Sequence, residues 1–541
     1  MRGLPRHPGT TRVGLQAAAL GWDDPFNPGQ AARWWRTGEG QAFTAQDPPP
    51  TPDGLATYLR GLRLDFYLHP VIPVAENYLA ITEFARLIDM ALLVGNEIGT
   101  INGAVTPGTN RYDPDRSLLQ PILADGHLLG VVYDESEHLQ IHPDQYSRRY
   151  APDRTVFQWG APSTTGLHPG YVTTNARQCS AAYAPATTLH EFVFPTLVHA
   201  LARAGFVPTP KILKEACTPV QLAIAMGAAA QYERPLGICV DLWGPDVGPW
   251  FTRLWGSPGH SPAEFVSALL LGRALSPTFL YVENMDSLCR STGERLVDTE
   301  FGECFRAWCY GDDRPGSRNS HFPGDDDPGE LVPAVVVIYA DRGDVAIGHW
   351  NPLSPDRESG RTFYEAMHVL THGHALVNAS TLHFSGVHVP AGQYPRTEET
   401  LADLPFESGE PDPPGRVHHF FSPLNSVAVF DEHVSSDRLK SARAIVVVGD
   451  TVPSETLDAV VSLSAASVDC VVARDTLPAD YRIQESSHLI VADSILDPRA
   501  REMLHPHLGP PDLLVVEFAK RRLEIRRADG PDDIDIAAFE V

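Results

Sequence analysis

At 541 residues the chain is too long for one hydrophobic core and should divide into roughly two or three domains. Hydrophobic residues make up 43% and charged residues 20%, the proportions of an ordinary globular protein with ample material for a large core. A formal net charge of −26 argues against nucleic acid and anionic membrane surfaces as partners.

The basic start, residues 1–22, holds only a short apolar run broken by Gln16, unlike a secretory signal. No run reaches the length of about 18 apolar residues that would suggest a membrane-spanning helix. The cysteines, Cys179, Cys217, Cys239, Cys289, Cys304, Cys309 and Cys470, form no CxxC pair. Their odd number and scatter suggest free thiols in a reducing compartment, so a cytoplasmic location is expected. Lysine occurs only at Lys211, Lys214, Lys440 and Lys520, while arginine is frequent.

Apolar, β-branched runs then recur along the chain. A weak first one covers 12–20, followed by 63–72, 91–98, 128–134, 211–217, 236–243, 277–283 and 334–340. Between them lie amphipathic segments such as 76–91, 187–204, 218–233 and 261–275. Thr218-Pro219 and Ser261-Pro262 place a capping residue before a proline at the first helical position. Near-continuous apolar strands alternating with helices are the signature of a parallel sheet covered by helices. Eight such units within residues 1–350 predict a (β/α)8 TIM barrel, with 139–185 as an insertion after the fourth strand. The alternative is an open doubly wound sheet.

Beyond residue 350 the character changes. Residues 361–373 read as helix and the polar, proline-rich 391–417 as loop. The stretch 441–475 reads as strand, turn at Pro453-Ser454, helix, strand, and the tail (LLVVEF, RLEIRR) as terminal strands. Residues 351–541 are therefore expected to form a second, smaller α/β domain.

Acids fall at the C-terminal ends of the expected strands, where barrel enzymes build their sites. Asn96 and Glu97 end the third, Asp134 and Glu135 the fourth, Asp241 and Trp243 the sixth, and Glu283 and Asn284 the seventh, while Glu215 lies on the fifth. One acid after a strand is commonly the cap of the next helix. Acids converging around one mouth are a costly excess of negative charge and point to function. A facing pair of carboxylates suits glycosidic cleavage, one protonating the leaving oxygen and the other attacking the anomeric carbon or activating water. Strands four and seven lie on opposite sides of an eight-stranded barrel, so acids at their ends would face one another.

In this the chain resembles the large clan of retaining glycoside hydrolases whose barrel strands four and seven carry the catalytic glutamates. The C-terminal stretch AIVVVGDTVPSETLDAVVS, 444–462, resembles the α/β domain that follows the barrel in family 42 β-galactosidases, a flavodoxin-like, glutamine amidotransferase-like fold without its catalytic cysteine. Here Cys470 falls inside an expected strand and not at a strand–turn–helix elbow. The resemblance implies Glu135 as general acid/base, Glu283 as nucleophile, a carbohydrate substrate, no cofactor, and a trimer or dimer assembled through the second domain. In that clan the strand-four acid usually follows Asn; here it follows Asp134, and the Asn-Glu dipeptide is Asn96-Glu97. Glu137 is a further candidate acid.

The loop after 236–243 carries Trp243, Trp250, Trp255, Arg253 and His260, aromatic faces and donors that suit sugars. Asp65 and His69, together with Tyr339 and Asp341, are further candidates for the mouth. For His69 and His138 a structural, hydrogen-bonded role is the commoner fate. No GxxxxGK[ST] loop or strand-following GxGxxG occurs, which removes the simplest nucleotide readings. Two alternatives stand beside the glycosidase. One is a metal-dependent hydrolase or lyase with Asp134, Glu135, His138 and Asp241 as ligands, although no HxH or HExxH is present and EHLQIH places Glu137, His138 and His142 on a loop. The other is a carbohydrate-binding barrel that has lost catalysis.

Overall fold

The computed structural model describes residues 11–18, 21–27, 47–72, 74–95, 116–134, 169–192, 195–212, 218–241, 262–310, 327–341, 358–373, 375, 381–384, 387–390, 422–528 and 534–541. Eight strands close into a barrel in chain order. They are β1 (Arg12–Gln16), β2 (Phe66–Pro70), β3 (Ala91–Gly95), β4 (Leu128–Asp134), β5 (Thr187–Phe192), β6 (Val207–Ile212), β7 (Gly237–Val240) and β8 (Phe279–Val282). Every neighbouring pair is parallel, and β8 closes on β1. Helices cross between them: α1 (Pro52–Arg60), α2 (Ala75–Ile88), α3 (Arg116–Asp125), α4 (Pro169–Tyr183), α5 (Val198–Ala204), α6 (Thr218–Tyr232) and α7 (Pro262–Ala274). The expected (β/α)8 barrel is the observed architecture.

Alternation along the strands sorts their side chains. Phe66, Leu68, Leu93, Val132, Leu189, Val207, Cys239, Phe279 and Tyr281 belong to one separate cluster that fills the barrel. Outward residues such as Tyr67, Leu92, Val94 and Val131 join the larger core shared with the helices. Gly14 leaves room inside for the Phe66 ring, which would stand 2.1 Å from a Cβ there.

The strand count is as expected, but its membership is not. Thr187–Phe192, expected at the start of an amphipathic helical segment, is β5; the helix of that segment is only Val198–Ala204. Residues 334–340, expected as the eighth strand, form β11 (Val335–Ala340) and pair outside the barrel. The strands expected as five, six and seven are therefore β6, β7 and β8. In β6 the prolines Pro208 and Pro210 disguise the first half of the strand, so it read as beginning at Lys211.

After β8 come α8 (Met285–Leu288), a hairpin of β9 (Cys289–Ser291) and β10 (Leu296–Asp298), and α9 (Glu300–Tyr310). A second hairpin joins β12 (Thr381–Phe384) and β13 (Val387–Pro390). The second sheet is five-stranded and parallel, in the order β15 (Val427–Phe430), β11, β16 (Ala444–Gly449), β17 (Asp469–Ala473), β18 (Leu489–Ala492). The unit of β16, the helix Ser454–Ala465 and β17 matches the expected strand–turn–helix–strand, with Pro453 at the helix cap. A four-stranded sheet ends the chain, in the order β14 (Leu424–Asn425), β19 (Leu513–Phe518), β20 (Arg521–Arg527), β21 (Ile534–Glu540).

The second sheet is fused to the barrel wall. A Cβ on Gly227 of α6 would stand 1.7 Å from the Val429 carbonyl of β15, so only glycine permits this approach. His199 bonds the Val429 carbonyl at 2.9 Å. Asp431 accepts from the Tyr232 hydroxyl and the Gln231 amide, and its backbone N–H donates to Gln231 at 2.9 Å. Asp341, just past β11, accepts from the Leu197 N–H at 2.7 Å and from the Thr196 hydroxyl. Arg521 of β20 donates to the Ala274 carbonyl at the end of α7.

Candidate active site

The C-terminal strand ends converge on one side chain that the sequence did not single out. Lys211, the penultimate residue of β6, places its Nζ 2.7 Å from Glu283 Oε2, 3.0 Å from Glu191 Oε1, 3.2 Å from Asp134 Oδ1 and 3.7 Å from Asp241 Oδ2. Asp134 is the last residue of β4, Glu191 lies on β5, and Asp241 and Glu283 immediately follow β7 and β8. All five are buried, Lys211 at 1% exposure and Glu191 at 0%. Such a group of charges is tolerable only because opposite charges and hydrogen bonds replace the lost water.

The next layer down supplies those bonds. Tyr281, two residues before Glu283 on the same inward face of β8, donates its hydroxyl to Glu191 Oε2. Cys239, level with Lys211 in the β6–β7 register, turns its thiol towards Glu283 Oε2 at 3.6 Å. Burial pushes the Cys239 thiol well above its usual range, and the Glu191 and Glu283 charges add to this. Burial and the Glu191 carboxylate likewise push the Tyr281 phenol up. Both groups therefore stay protonated at neutral pH and act as donors.

Asn284, next to Glu283, has left-handed backbone, φ 61°, a conformation that asparagine tolerates better than most residues. Its side chain is fully buried, and neither amide atom has a hydrogen-bond partner among the described residues.

The other candidates are scattered. Asp65 precedes β2, at the opposite end of the barrel from Lys211, exposed and accepting from the Val13 N–H at 2.8 Å. His69 is on the outward face of β2, paired with Asp24 at 2.8 Å and beside the Tyr67 hydroxyl at 3.2 Å. It packs edge-on to Phe26 between the barrel wall and its cover, which is a structural position. Tyr339 belongs to β11 in the second sheet, stacked on Phe363 with ring centres 4.3 Å apart, and not to a barrel strand. Asn96, Glu97, Glu135, Glu215 and Trp243 lie outside the described residues, as do Glu137, His138, His142, Trp250, Arg253, Trp255 and His260.

Sequence reasoning missed Glu191, Lys211, Cys239 and Tyr281. The signal for Glu191 was the alternation Thr187, Leu189, Glu191 on one face of a short β-branched run. For Lys211 it was a lysine inside an apolar run in a chain that otherwise uses arginine.

Among the described residues, Glu191, Cys239 and Glu283 are a His/Cys/Asp/Glu group compact enough to consider for a metal, with ligand atoms within 4.8 Å of one another. They do not fit one. The Lys211 ammonium already stands against both carboxylates, where it would repel a metal cation. No described helix is long and apolar enough to cross a membrane.

No family model matches the chain, and no curated protein sequence matches it. Solved structures to which it has a partial likeness include glycoside hydrolases. An exo-β-1,4-mannosidase, Op5Man5 from Opitutaceae bacterium strain TAV5, has a TM-score of 0.45 at 10% identity, covering 97% of this chain and 84% of that one. The catalytic module of a family 98 glycoside hydrolase from Streptococcus pneumoniae TIGR4 has a TM-score of 0.41 at 8% identity, covering 95% and 72%. A β-1,4-D-mannanase from Cryptopygus antarcticus has a TM-score of 0.32 at 8% identity, covering 59% and 96%.

Proposed function

We propose that this chain is a glycoside hydrolase that retains anomeric configuration, with Glu283 as nucleophile and Glu135, next in sequence to Asp134, as proton donor. The observation that carries the reading is Glu283 itself, a buried carboxylate just past β8 within a ring of acids at the C-terminal end of a closed parallel barrel. A retaining pair requires its two carboxyl groups about 5–5.5 Å apart, against the roughly 6.5–9.5 Å that admits an inverting water. In the first step Glu135 gives its proton to the leaving oxygen as Glu283 Oε attacks the anomeric carbon, breaking the glycosidic bond and forming a glycosyl ester. In the second, Glu135 takes a proton from water, whose oxygen displaces Glu283. Glu191, with one oxygen accepting from Tyr281 and the other facing the Lys211 ammonium, is an acceptor in this ring and not the donor.

The same reading takes a small carbohydrate or glycoside as substrate, needs no cofactor, and places the protein in a reducing cytoplasm. Residues 351–541, joined by β11 in the second sheet, are proposed as an amidotransferase-like module for dimer or trimer assembly. Supporting this, Cys470 lies buried within β17, where burial pushes its thiol up to about 12, unsuited to a nucleophile. Light scattering that gave a monomer would remove the assembly role.

The test is a panel of aryl glycosides, with the wild type, E283Q, E191A and E135A assayed side by side. Azide should restore turnover to whichever of E191A and E135A lacks the acid/base. A substrate turned over equally by wild type and E283Q would refute the nucleophile assignment.

A further inference from the structure

We infer that Lys211 is the positioning residue of this site. Its ammonium is the internal counter-ion that holds Glu283 after β8, the nucleophile, beside Glu191 of β5 in one ring, an assignment that rests on the two-carboxylate reading.

Four carboxylates, from the ends of β4, β5, β7 and β8, point at one spot inside the barrel. Without a cation between them, Glu191 and Glu283 would repel across a few ångströms of low-dielectric interior, where like charges separate or neutralise. Lys211 Nζ stands between them, at 3.0 and 2.7 Å. The side-chain type is informative in a chain that prefers arginine. Lys440 and Lys520, by contrast, have side chains 70% and 65% exposed, whereas that of Lys211 is 1% exposed. A planar guanidinium binds carboxylates in its own plane through a fixed fork. A compact ammonium presents its donors in three dimensions to carboxylates arriving from several strands. The ring needs a point charge, and lysine supplies one.

Lys211 positions the acids and does not itself react. The groups facing it are Asp134, Glu191, Asp241 and Glu283, with Cys239 level with it in the register and Tyr281 donating to Glu191. Removing the ammonium takes away a positive charge that all four acids face, which favours proton uptake or opening of the ring.

The experiment uses the full-length chain and the variants K211M, K211A and K211R, with melting temperature as the first readout. K211M should lose more thermal stability at pH 8 than at pH 5, because at pH 5 protons substitute for the missing charge. Ethylammonium should raise the melting temperature of K211A at pH 8, and tetramethylammonium at equal concentration should not. K211R, which keeps the charge and loses the compact shape, should melt closer to the wild type than K211M does. It should nevertheless show a lower kcat with little change in KM on any aryl glycoside the wild type turns over. An equal stability loss for K211M at both pH values, with no selective rescue of K211A, would overturn the inference. If K211M fails to fold, the K211A rescue and the K211R comparison decide. A counter-ion signature in melting with no aryl glycoside turned over would leave Lys211 as the organiser of the ring and sink the glycosidase reading instead.

Discussion

Lys211 and Glu283 meet at 2.7 Å, Nζ to Oε2, with both side chains almost wholly withdrawn from water. One comes from β6 and the other from the end of β8, so the contact spans the barrel interior between non-adjacent strands. It fixes where the reactive end of Glu283 points, and the proposed chemistry depends on that direction.

Replacing Glu283 by glutamine keeps its shape and removes its charge. Turnover of a glycoside substrate should fall about 10²–10⁴-fold or more, the range typical of losing one acting side chain. Circular dichroism should show the fold intact. Stopped-flow release of the aryl group measures the loss, and a change below tenfold would clear Glu283 of a direct role.

Tyr281→Phe removes the hydroxyl that Glu191 accepts from while leaving the ring in the barrel core. A hydrogen bond to a charged group is worth about 1.5–3 kcal/mol, and urea unfolding at pH 7 should show a loss of that order. Activity should fall as well, since Glu191 loses one of the groups that orient it.

The junction between barrel and second sheet has its own pH signature. Burial of the Asp431 carboxyl would raise its pKa, but His199 and hydrogen bonds from Tyr232, Gln231 and the His433 N–H outweigh this and hold it below the ordinary value. A carboxylate with a lowered folded pKa contributes its full stability above its unfolded pKa, about 3.9, and loses it as pH falls through the folded value. D431N should therefore be less stable than wild type at pH 7, by about 1–3 kcal/mol. The gap should narrow below about pH 4. Denaturant titrations at pH 7 and pH 3 check this; a gap of constant size would contradict the lowered pKa.

Gly227→Ala tests the same junction sterically. The new methyl would overlap the Val429 carbonyl, and backbone cannot rotate out of the way as a flexible side chain can. A loss of about 3 kcal/mol, the upper end for overpacking, is expected. Proteolysis should then separate the two sheets more readily than in the wild type.

Dialysis against a chelator should leave melting temperature and turnover unchanged, because the Lys211 ammonium fills the space a metal would take between Glu191 and Glu283. A fall in either, restored by a divalent ion, would favour metal-dependent chemistry.

The barrel was legible because strands buried on both faces must be apolar along their length, and β2, β3, β4, β7 and β8 all show it. The order of the later strands was not. Thr187–Phe192 runs within a few residues into an apolar helix, so the two read as one amphipathic segment. Val335–Ala340 is as apolar as any barrel strand, and only its pairing partners place it in another sheet. Composition does not encode partners. This shift moved Glu283 from the seventh strand to the eighth and gave the seventh strand end to Asp241.

The site was half legible for a related reason. Asp134, Asp241 and Glu283 stand at the ends of apolar runs, where an acid is conspicuous. Glu191 and Lys211 lie one residue inside their strands, where a charge is affordable only through partners on other strands. Those partners are set by barrel closure. Asp65 and His69 show the converse: each is conspicuous in sequence, yet strand direction puts one at the far end and strand alternation puts the other outside the wall.

The most direct test of the central claim is ¹H NMR of the first product anomer released by the wild-type protein from an aryl glycoside it turns over. A two-carboxylate site with Glu283 as nucleophile predicts a product with the configuration of the substrate, and loss of that product in E283Q. An inverted first product, or a retained one that E283Q forms at the wild-type rate, would contradict it.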